Sequence, residues 1–107
     1  MSKSDNELVA AVRDTCLACE GVSSMAATLS TKVNDTLKGL YGSYGVKGVV
    51  MDRDKDGLTF DLYLKVKYGE KIPVLAWNVQ KSVTSALDEI TDEKIKAVNI
   101  HIQGVKL

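Results

Sequence analysis

The sequence predicts an α+β domain in which a small antiparallel or mixed sheet has helices packed on one face, in the order α-(short α)-β-β-α-β. Three observations favour this class. A capped amphipathic segment opens the chain, strictly alternating apolar and polar residues follow in the middle, and a second amphipathic segment precedes a last alternating run. At 107 residues, we expect residues 1–107 to form a single domain.

The first helix is predicted over residues 5–20. Ser4 and Glu7 fit a capping box, in which each side chain accepts a hydrogen bond from the backbone amide of the other residue. Gly21 follows, where a helix end favours a left-handed residue. One apolar stripe has helical spacing: Leu8, Val12, Cys16 and Cys19.

Residues 22–45 predict a short second helix followed by a flexible glycine connector. Gly39, Gly42 and Gly45 interrupt whatever regular structure precedes them. The apolar residues with helical spacing are Leu29, Val33, Leu37 and Leu40.

Residues 46–68 predict an antiparallel hairpin. Residues 46–51 are apolar and β-branched, residues 52–57 are a polar turn, and strict alternation then extends to Tyr68. Asp56-Gly57 indicates the tip, because tight hairpin turns need a positive φ that glycine adopts at low cost.

A long helix over residues 73–90 and a last strand complete the predicted fold. Pro73 suits the first helical turn, where its missing amide hydrogen costs nothing. The helix face expected on the core is Ala76, Val79, Val83, Ala86 and Ile90. In the last strand, Val98, Ile100 and Ile102 alternate with Asn99, His101 and Gln103.

The polar sides of these strands would form an outer sheet face, which is either simply solvated or a docking surface. Its residues would be Thr59, Asp61, Tyr63, Lys65, Lys67, Asn99, His101 and Gln103. Trp77 falls off the apolar helix stripe, so it either packs at the edge of the domain or anchors a partner. We expect the partner contacts at Tyr63, Lys65, Lys67, His101 and Gln103, with Trp77 as an additional anchor.

The charge balance is neutral, with 14 basic and 14 acidic side chains. A neutral chain has no global field that attracts nucleic acid or an anionic membrane, and it has little repulsion between copies, which favours self-association. No apolar run is long enough for a membrane span, and the polar N-terminus lacks the apolar stretch of a signal peptide, so we expect a cytoplasmic protein.

The cysteine pair suggests a zinc site and fits one poorly. Cys16 and Cys19 would need two more ligands, and His101 is the only other plausible nitrogen or sulfur donor in the sequence. We therefore expect both cysteines to be buried in a reducing compartment.

The acidic turn suggests a calcium site and also fits one poorly. Residues 52–57 match the opening of a calcium loop with Asp52, Asp54 and Asp56, but Tyr63 stands where the bidentate glutamate belongs. A solvated hairpin tip is the favoured interpretation, with weak calcium binding as the alternative.

Two further function classes, nucleic-acid binding and catalysis, are judged from the residues present. Gly42-Ser43-Tyr44-Gly45 has the spacing of the KH-domain loop that clamps a nucleic-acid backbone, so a KH-like nucleic-acid-binding module is the alternative function. A single histidine without a nearby nucleophile gives no catalytic constellation, so we expect no enzymatic activity and no cofactor.

An ordered set of short motifs resembles the alkaline shock protein family of Gram-positive bacteria, also called the envelope stress response family. The departures are a missing strand-like lead-in and Thr91-Asp92 in place of a glycine. The matching pieces are Gly21-Val22, Lys47-Gly48-Val49, Asp61-Leu62-Tyr63, Tyr68-Gly69, Lys71-Ile72-Pro73, Asn78-Val79-Gln80, Val83 and Val98-Asn99-Ile100-His101-Ile102-Gln103-Gly104-Val105.

This resemblance implies a small, non-enzymatic α+β domain associated with cell-envelope homeostasis and alkaline or general stress. Some members assemble at the cytoplasmic face of the membrane through a membrane-anchored partner, and others are linked to lipid metabolism. The family has no established catalytic residues, so it implies none here. The sequence therefore predicts a scaffold or regulatory protein that acts through protein–protein contacts as a homo-oligomer.

Overall fold

The structure is a computed structural model that describes residues 4–26 and 43–107. The elements in these two ranges are α1 (Asp5–Ala18), β1 (Val22–Met25), β2 (Ser43–Val46), β3 (Val49–Asp54), β4 (Gly57–Lys67), α2 (Ile72–Ile90) and β5 (Ile95–Lys106). Both described helices pack on one face of a mixed sheet. The predicted α+β class is confirmed.

β4 is the central strand of the sheet. On one edge it pairs in parallel with β5, over Leu58 to Lys67. On the other edge it pairs antiparallel with two strands that lie end to end, β3 beside residues 57–62 and β1 beside residues 64–66. β2 extends the sheet beyond β3. Parallel neighbours need a long crossover connection, and α2 is the crossover between β4 and β5.

The predicted capping box begins α1. The Glu7 backbone amide donates to Ser4 Oγ at 3.4 Å, and the Ser4 amide donates to Glu7 Oε1 at 3.2 Å. The predicted stripe faces the core: Leu8, Val12 and Cys16 are buried, and Cys19 packs partly buried against them. The helix ends at Ala18, slightly earlier than predicted.

The predicted hairpin of β3 and β4 is confirmed, with a tighter turn than the sequence suggested. β3 continues to Asp54 and β4 begins at Gly57, so Lys55 and Asp56 alone form the turn, instead of all of residues 52–57. The Asp56 amide donates to Asp54 Oδ1 at 2.8 Å, a local contact that helps the chain reverse direction within two residues.

Two short strands lie where the sequence predicted a helix and a connector. β1 occupies the start of residues 22–45, and Gly45 lies in β2, opposite Val50. The prediction of a flexible connector at Gly45 is wrong. Strand pairing with β3 uses backbone N–H and C=O groups, and glycine has these groups like other residues. The residues that predicted the short helix, Leu29, Val33, Leu37 and Leu40, lie outside the described residues.

The first strand of the predicted hairpin begins and ends three residues later than expected, at Val49 and Asp54. The chain reverses at Lys47-Gly48, so that Val46 pairs with Val49 across a second tight turn. Residues 46–51 therefore belong to two strands instead of one.

The core lies between the inner face of the sheet and the two helices. The inward side chains of β4 are at most 1% exposed: Leu58, Phe60, Leu62, Leu64 and Val66. The buried stripe of α2 is Leu75, Val79, Val83 and Leu87. The sequence predicted Ala76 and Ala86 where Leu75 and Leu87 are buried. Helical spacing allowed both stripes, and leucine buries more apolar area than alanine.

Arg53 connects three elements through charged hydrogen bonds. Its Nη1 and Nη2 donate to the two carboxylate oxygens of Asp5 at 3.0 and 2.8 Å. Its Nε and Nη2 donate to Glu93 at 2.7 and 2.8 Å. Asp5 begins α1 and Glu93 precedes β5, so one guanidinium holds the hairpin against both. This arrangement is the bidentate geometry in which arginine binds carboxylates most strongly.

Replacing Gly57 with alanine should destabilise the fold. Its φ is 136°, and an added Cβ would collide with the carbonyl oxygen of Lys94, which accepts the Leu58 amide at 2.9 Å. We expect urea unfolding to show a loss of about 2–3 kcal/mol. Gly69→Ala is the matched control, because its φ is 89° and nothing lies within 4 Å of the new atom. That variant should lose only about 1 kcal/mol, and equal losses would contradict the prediction.

Replacing Arg53 with glutamine should lower the free energy of unfolding by about 1 kcal/mol, a modest value because all three charged side chains are partly solvated. Lys55→Gln removes a charge from the tip of the same hairpin and should leave the urea midpoint nearly unchanged. If both variants lose the same stability, the effect comes from net charge and not from the contacts of Arg53.

The same network should make stability depend on pH. Hydrogen bonds from Arg53 lower the pKa of Asp5 and of Glu93 below their ordinary values. A carboxyl group with a lowered pKa in the folded state contributes stability above its unfolded pKa, about 4, and loses it as the pH falls through the folded value. From about pH 5 to pH 3, wild type should therefore lose stability faster than Arg53→Gln. Parallel curves in pH-dependent urea unfolding would contradict this.

Candidate functional site

Alternate side chains of β4 point away from the helices onto the outer face of the sheet. The parallel register with β5 places Asp61 opposite Asn99 and Tyr63 opposite His101. Four residues that the sequence assigned to this face therefore meet at its middle. We call Asp61, Tyr63, Asn99 and His101 the central cluster.

Asp61 organises the central cluster. Its Oδ1 accepts a hydrogen bond from Asn99 Nδ2 at 3.1 Å and lies 3.0 Å from His101 Nε2. Because a carboxylate oxygen can only accept, this contact assigns a proton to Nε2 of the imidazole. The Asp61 side chain is 23% exposed and that of His101 is 40% exposed. The carboxylate thus holds the ring in place while the ring still faces solvent.

Tyr63 and His101 form a stacked pair. Their ring centroids lie 4.5 Å apart and the ring planes are inclined by 14°. Partial burial raises the pKa of Tyr63 above its ordinary value, and the carboxylates of Asp61 and Asp52 raise it further. The phenol therefore stays protonated at neutral pH and can donate a hydrogen bond to a partner.

The other predicted contacts on this face lie towards one end of the sheet. Lys67 is opposite Lys106, and Lys65 is opposite Gly104. The register shifts between Leu64 and Lys65, which leaves Gln103 as the extra residue in β5. All three predicted side chains, Lys65, Lys67 and Gln103, are exposed.

Trp77 lies on a different surface from the central cluster. It is 59% exposed on α2, with Lys81 Nζ 4.3 Å from the centre of its ring. It lines a shallow surface pocket of about 320 Å³ together with Gln80 and Thr84. Because α2 covers the inner face of the sheet, the structure does not bring Trp77 together with the other predicted contacts.

Two shallow surface pockets lie away from the central cluster. A second shallow pocket, of about 330 Å³, lies at the start of α2 beside Glu70 and Lys71. Neither this pocket nor the one at Trp77 is lined by the central cluster. The polar atoms of the central cluster lie on the outer face of the sheet.

The three aspartates with calcium-loop spacing lie on a β-hairpin. Asp52 and Asp54 belong to β3 and Asp56 to the turn. Asp54 Oδ2 accepts from Lys96 Nζ at 2.8 Å, which engages this carboxylate within the chain. Across residues 4–26 and 43–107, no group of three histidine, cysteine or acidic side chains is placed to hold a metal ion.

The cysteine pair lies in the last turns of α1. Both thiols are free, Cys16 is buried and Cys19 is partly buried. Burial raises the pKa of Cys16 to about 12, and Cys19 adds to the shift. The Cys19 thiol donates to the Thr15 carbonyl at 3.3 Å. Cys16 is therefore a protonated core residue at neutral pH, and the expected burial of the pair is confirmed for Cys16 and partly for Cys19.

The glycine motif that suggested a KH-like loop has a different backbone. In KH domains the loop joins two helices. Here, Ser43, Tyr44 and Gly45 are extended in β2 and pair with β3, whereas Gly42 lies outside the described residues. The structural basis for the nucleic-acid alternative is therefore absent at the three described positions.

Sequence reasoning missed two long-range features of the charged residues. It placed Asp61 and Asn99 on the outer face but not among the partner contacts, because their link to His101 depends on the register of two strands about 40 residues apart. It assigned Arg53 to a turn, whereas its partners lie 48 and 40 residues away. No local pattern carries either signal.

In the part of the chain that the structure describes, neither helix is both long and apolar enough to cross a membrane.

Comparison with known proteins gives consistent matches. A protein of Streptococcus pyogenes, named uncharacterized protein Spy1535, is 42% identical over 60 residues, which are 55% of this chain and 46% of that protein. The Bacillus subtilis protein YqhY, also named as uncharacterized, is 34% identical over 81% of this chain and 62% of its own length.

A longer match links the chain to a third relative. The Bacillus subtilis protein YloU, likewise named as uncharacterized, is 29% identical over 95% of this chain and 85% of its own length. No solved structure matches. The model of the alkaline shock protein 23 family, described as having a cell envelope-related function, matches residues 3–107. The chain therefore belongs to this alkaline shock, cell envelope-related family.

Proposed function

We propose that this protein is a non-enzymatic scaffold or regulatory protein of cell-envelope homeostasis, which acts through protein–protein contacts and self-association on the outer face of its sheet. Membership of a cell envelope-related family supports the general role. One observation of this chain carries the rest: a stacked tyrosine–histidine pair is held by a carboxylate in the middle of an open sheet face.

The central cluster has the properties of a contact surface. Tyrosine and histidine offer apolar ring area together with a polar tip, and Asp61 restrains the His101 ring before any partner binds. A side chain that is already ordered loses less conformational entropy on binding. The half-exposed rings are therefore suited to be the anchor of a protein interface.

Location at the envelope would be acquired from a partner. The chain has a net charge of zero, so it lacks the basic excess that binds anionic lipid surfaces. We accordingly propose a cytoplasmic protein that reaches the membrane through a membrane-anchored protein. Catalysis is not part of the proposal, since the imidazole of His101 is stacked on Tyr63 and is held by Asp61 on an open face.

Tyr63→Glu should abolish the proposed contacts between the outer face and its protein partners. The substitution removes the stacked ring and adds a negative charge beside Asp61 and Asp52. Affinity purification of the full chain from its native cells should recover envelope proteins with wild type and at least about tenfold less of them with the variant. Ser85→Glu adds the same charge on the exposed surface of α2 and should recover as much as wild type. Thermal melting of both variants verifies the fold.

Two results would refute this proposal. One is a set of envelope proteins that is recovered equally with wild type and a folded Tyr63→Glu variant. The other is recovery of RNA in place of protein, with binding that weakens steeply as salt is raised, which would favour nucleic-acid binding instead.

A further inference from the structure

The outer face has opposite charges at its two ends. At one end, Lys65 and Lys67 of β4 and Lys106 of β5 lie close together, with Lys67 directly opposite Lys106. All three are exposed, and none makes an ion pair with another of the described residues. Like charges in cross-strand positions repel each other, so this end is electrostatically unsatisfied within the described part of the chain.

The acidic side chains of the face lie on the other side of Tyr63, from the central cluster towards the hairpin turn. Asp61 points outward from β4, and Asp52 points outward from β3, where it lies opposite Thr59. Tyr63 stands midway between Asp61 and Lys65 along β4. The charges therefore change sign at Tyr63, although the whole chain has a net charge of zero.

We propose that a second copy of this chain binds to the outer face, in a symmetric dimer whose two-fold axis passes beside Tyr63; this inference rests on the proposed function of that face. When two sheets stack face to face about an axis perpendicular to β4, their strands run in opposite directions. Lys65 of each copy then faces Asp61 of the other, and Lys67 faces Thr59 and Asp52. The two stacked ring pairs lie in the middle of the interface.

A second copy brings opposite charges against both the basic and the acidic part of the face. A polyanion such as a nucleic acid or an acidic membrane would gain contacts with the three lysines, but it would also lie against Asp61 and Asp52. A two-fold axis repeats every contact and gives each interface two sets of opposite charges. The neutral net charge adds no overall repulsion between the copies.

The size of the face predicts a weak dimer. Strands about 4.8 Å apart and close to 30 Å long give a face on the order of 500 Å² per copy. A standard stable interface buries about 800 Å² per partner. The monomer and the dimer should therefore exchange at concentrations near the micromolar range and above, with a dissociation constant that rises with ionic strength.

Complementary charge reversal tests this arrangement in sedimentation of the full-length protein. Wild type should change from monomer to dimer as its concentration rises. Lys65→Asp and Asp61→Lys each place like charges opposite each other twice, so each alone should raise the dissociation constant at least about tenfold. An equimolar mixture of the two variants should dimerise again, because every contact in the mixed dimer joins opposite charges.

A second pair of charge-reversal variants repeats the test without removing the hydrogen bonds of Asp61. Lys67→Asp and Asp52→Lys should behave in the same way, alone and mixed, without altering the contact between Asp61 and His101. Lys81→Asp, on α2, reverses a charge away from the outer face and should sediment as wild type. Circular dichroism establishes that each variant is folded.

Three outcomes would overturn the inference. Wild type that remains a monomer up to several hundred micromolar excludes the dimer and the self-association in the proposed function, while contacts with envelope proteins are judged separately by whether Tyr63→Glu loses its copurified proteins. A dimer that survives all charge reversals uses another surface. Binding of nucleic acid or anionic vesicles that Lys65→Asp abolishes, without any dimer, assigns the basic end to an anionic ligand.

Discussion

The structure depends on the pairing of both edges of β4. An isolated pair of strands is marginal in water, and a central strand becomes stable when neighbours satisfy its backbone groups on both sides. β5 occupies one edge, and β3 and β1 share the other. With its backbone satisfied, β4 can place a wholly apolar row against the helices and a wholly polar row on the opposite face. Each layer of the molecule is arranged around this strand.

The parallel pairing of β4 with β5 turns a polar strand surface into an organised site. In a ladder, a residue has a neighbour directly opposite and another diagonally placed. Asp61 uses both positions, since Asn99 is directly opposite it and His101 is the next outward residue. The same register stacks the imidazole on Tyr63. A register shift of one residue would place these side chains on opposite faces and remove the cluster.

The charges of this protein are informative because of where they lie. Arg53 forms ion pairs with the carboxylates of Asp5 and Glu93 on the helix side and so stabilises the fold. The exposed lysines at the end of β4 and β5 have no such partners among the described residues, and they share a face with carboxylates at its other end. The net charge of zero is therefore the sum of charges paired within the fold and of charges separated on one surface, where the exposed lysines are available to a partner.

Local order follows from the amino-acid sequence alone, because its causes lie within a few residues of each other. The capping box at Ser4, the alternation of β4 and the tip at Asp56-Gly57 obey short-range rules, which also assign the predicted contacts of β4 and β5 to one polar face. These rules failed at Gly45, because its backbone pairs with the neighbouring edge of β3. The parallel direction of β5 and the contact of Asp61 with His101 join residues distant in sequence, so no local pattern records them. The sequence was thus sufficient for the two described helices, the tip of the hairpin, the last strand and which side of the sheet is polar, whereas the pairing of its strands determined β1, β2 and which polar groups meet.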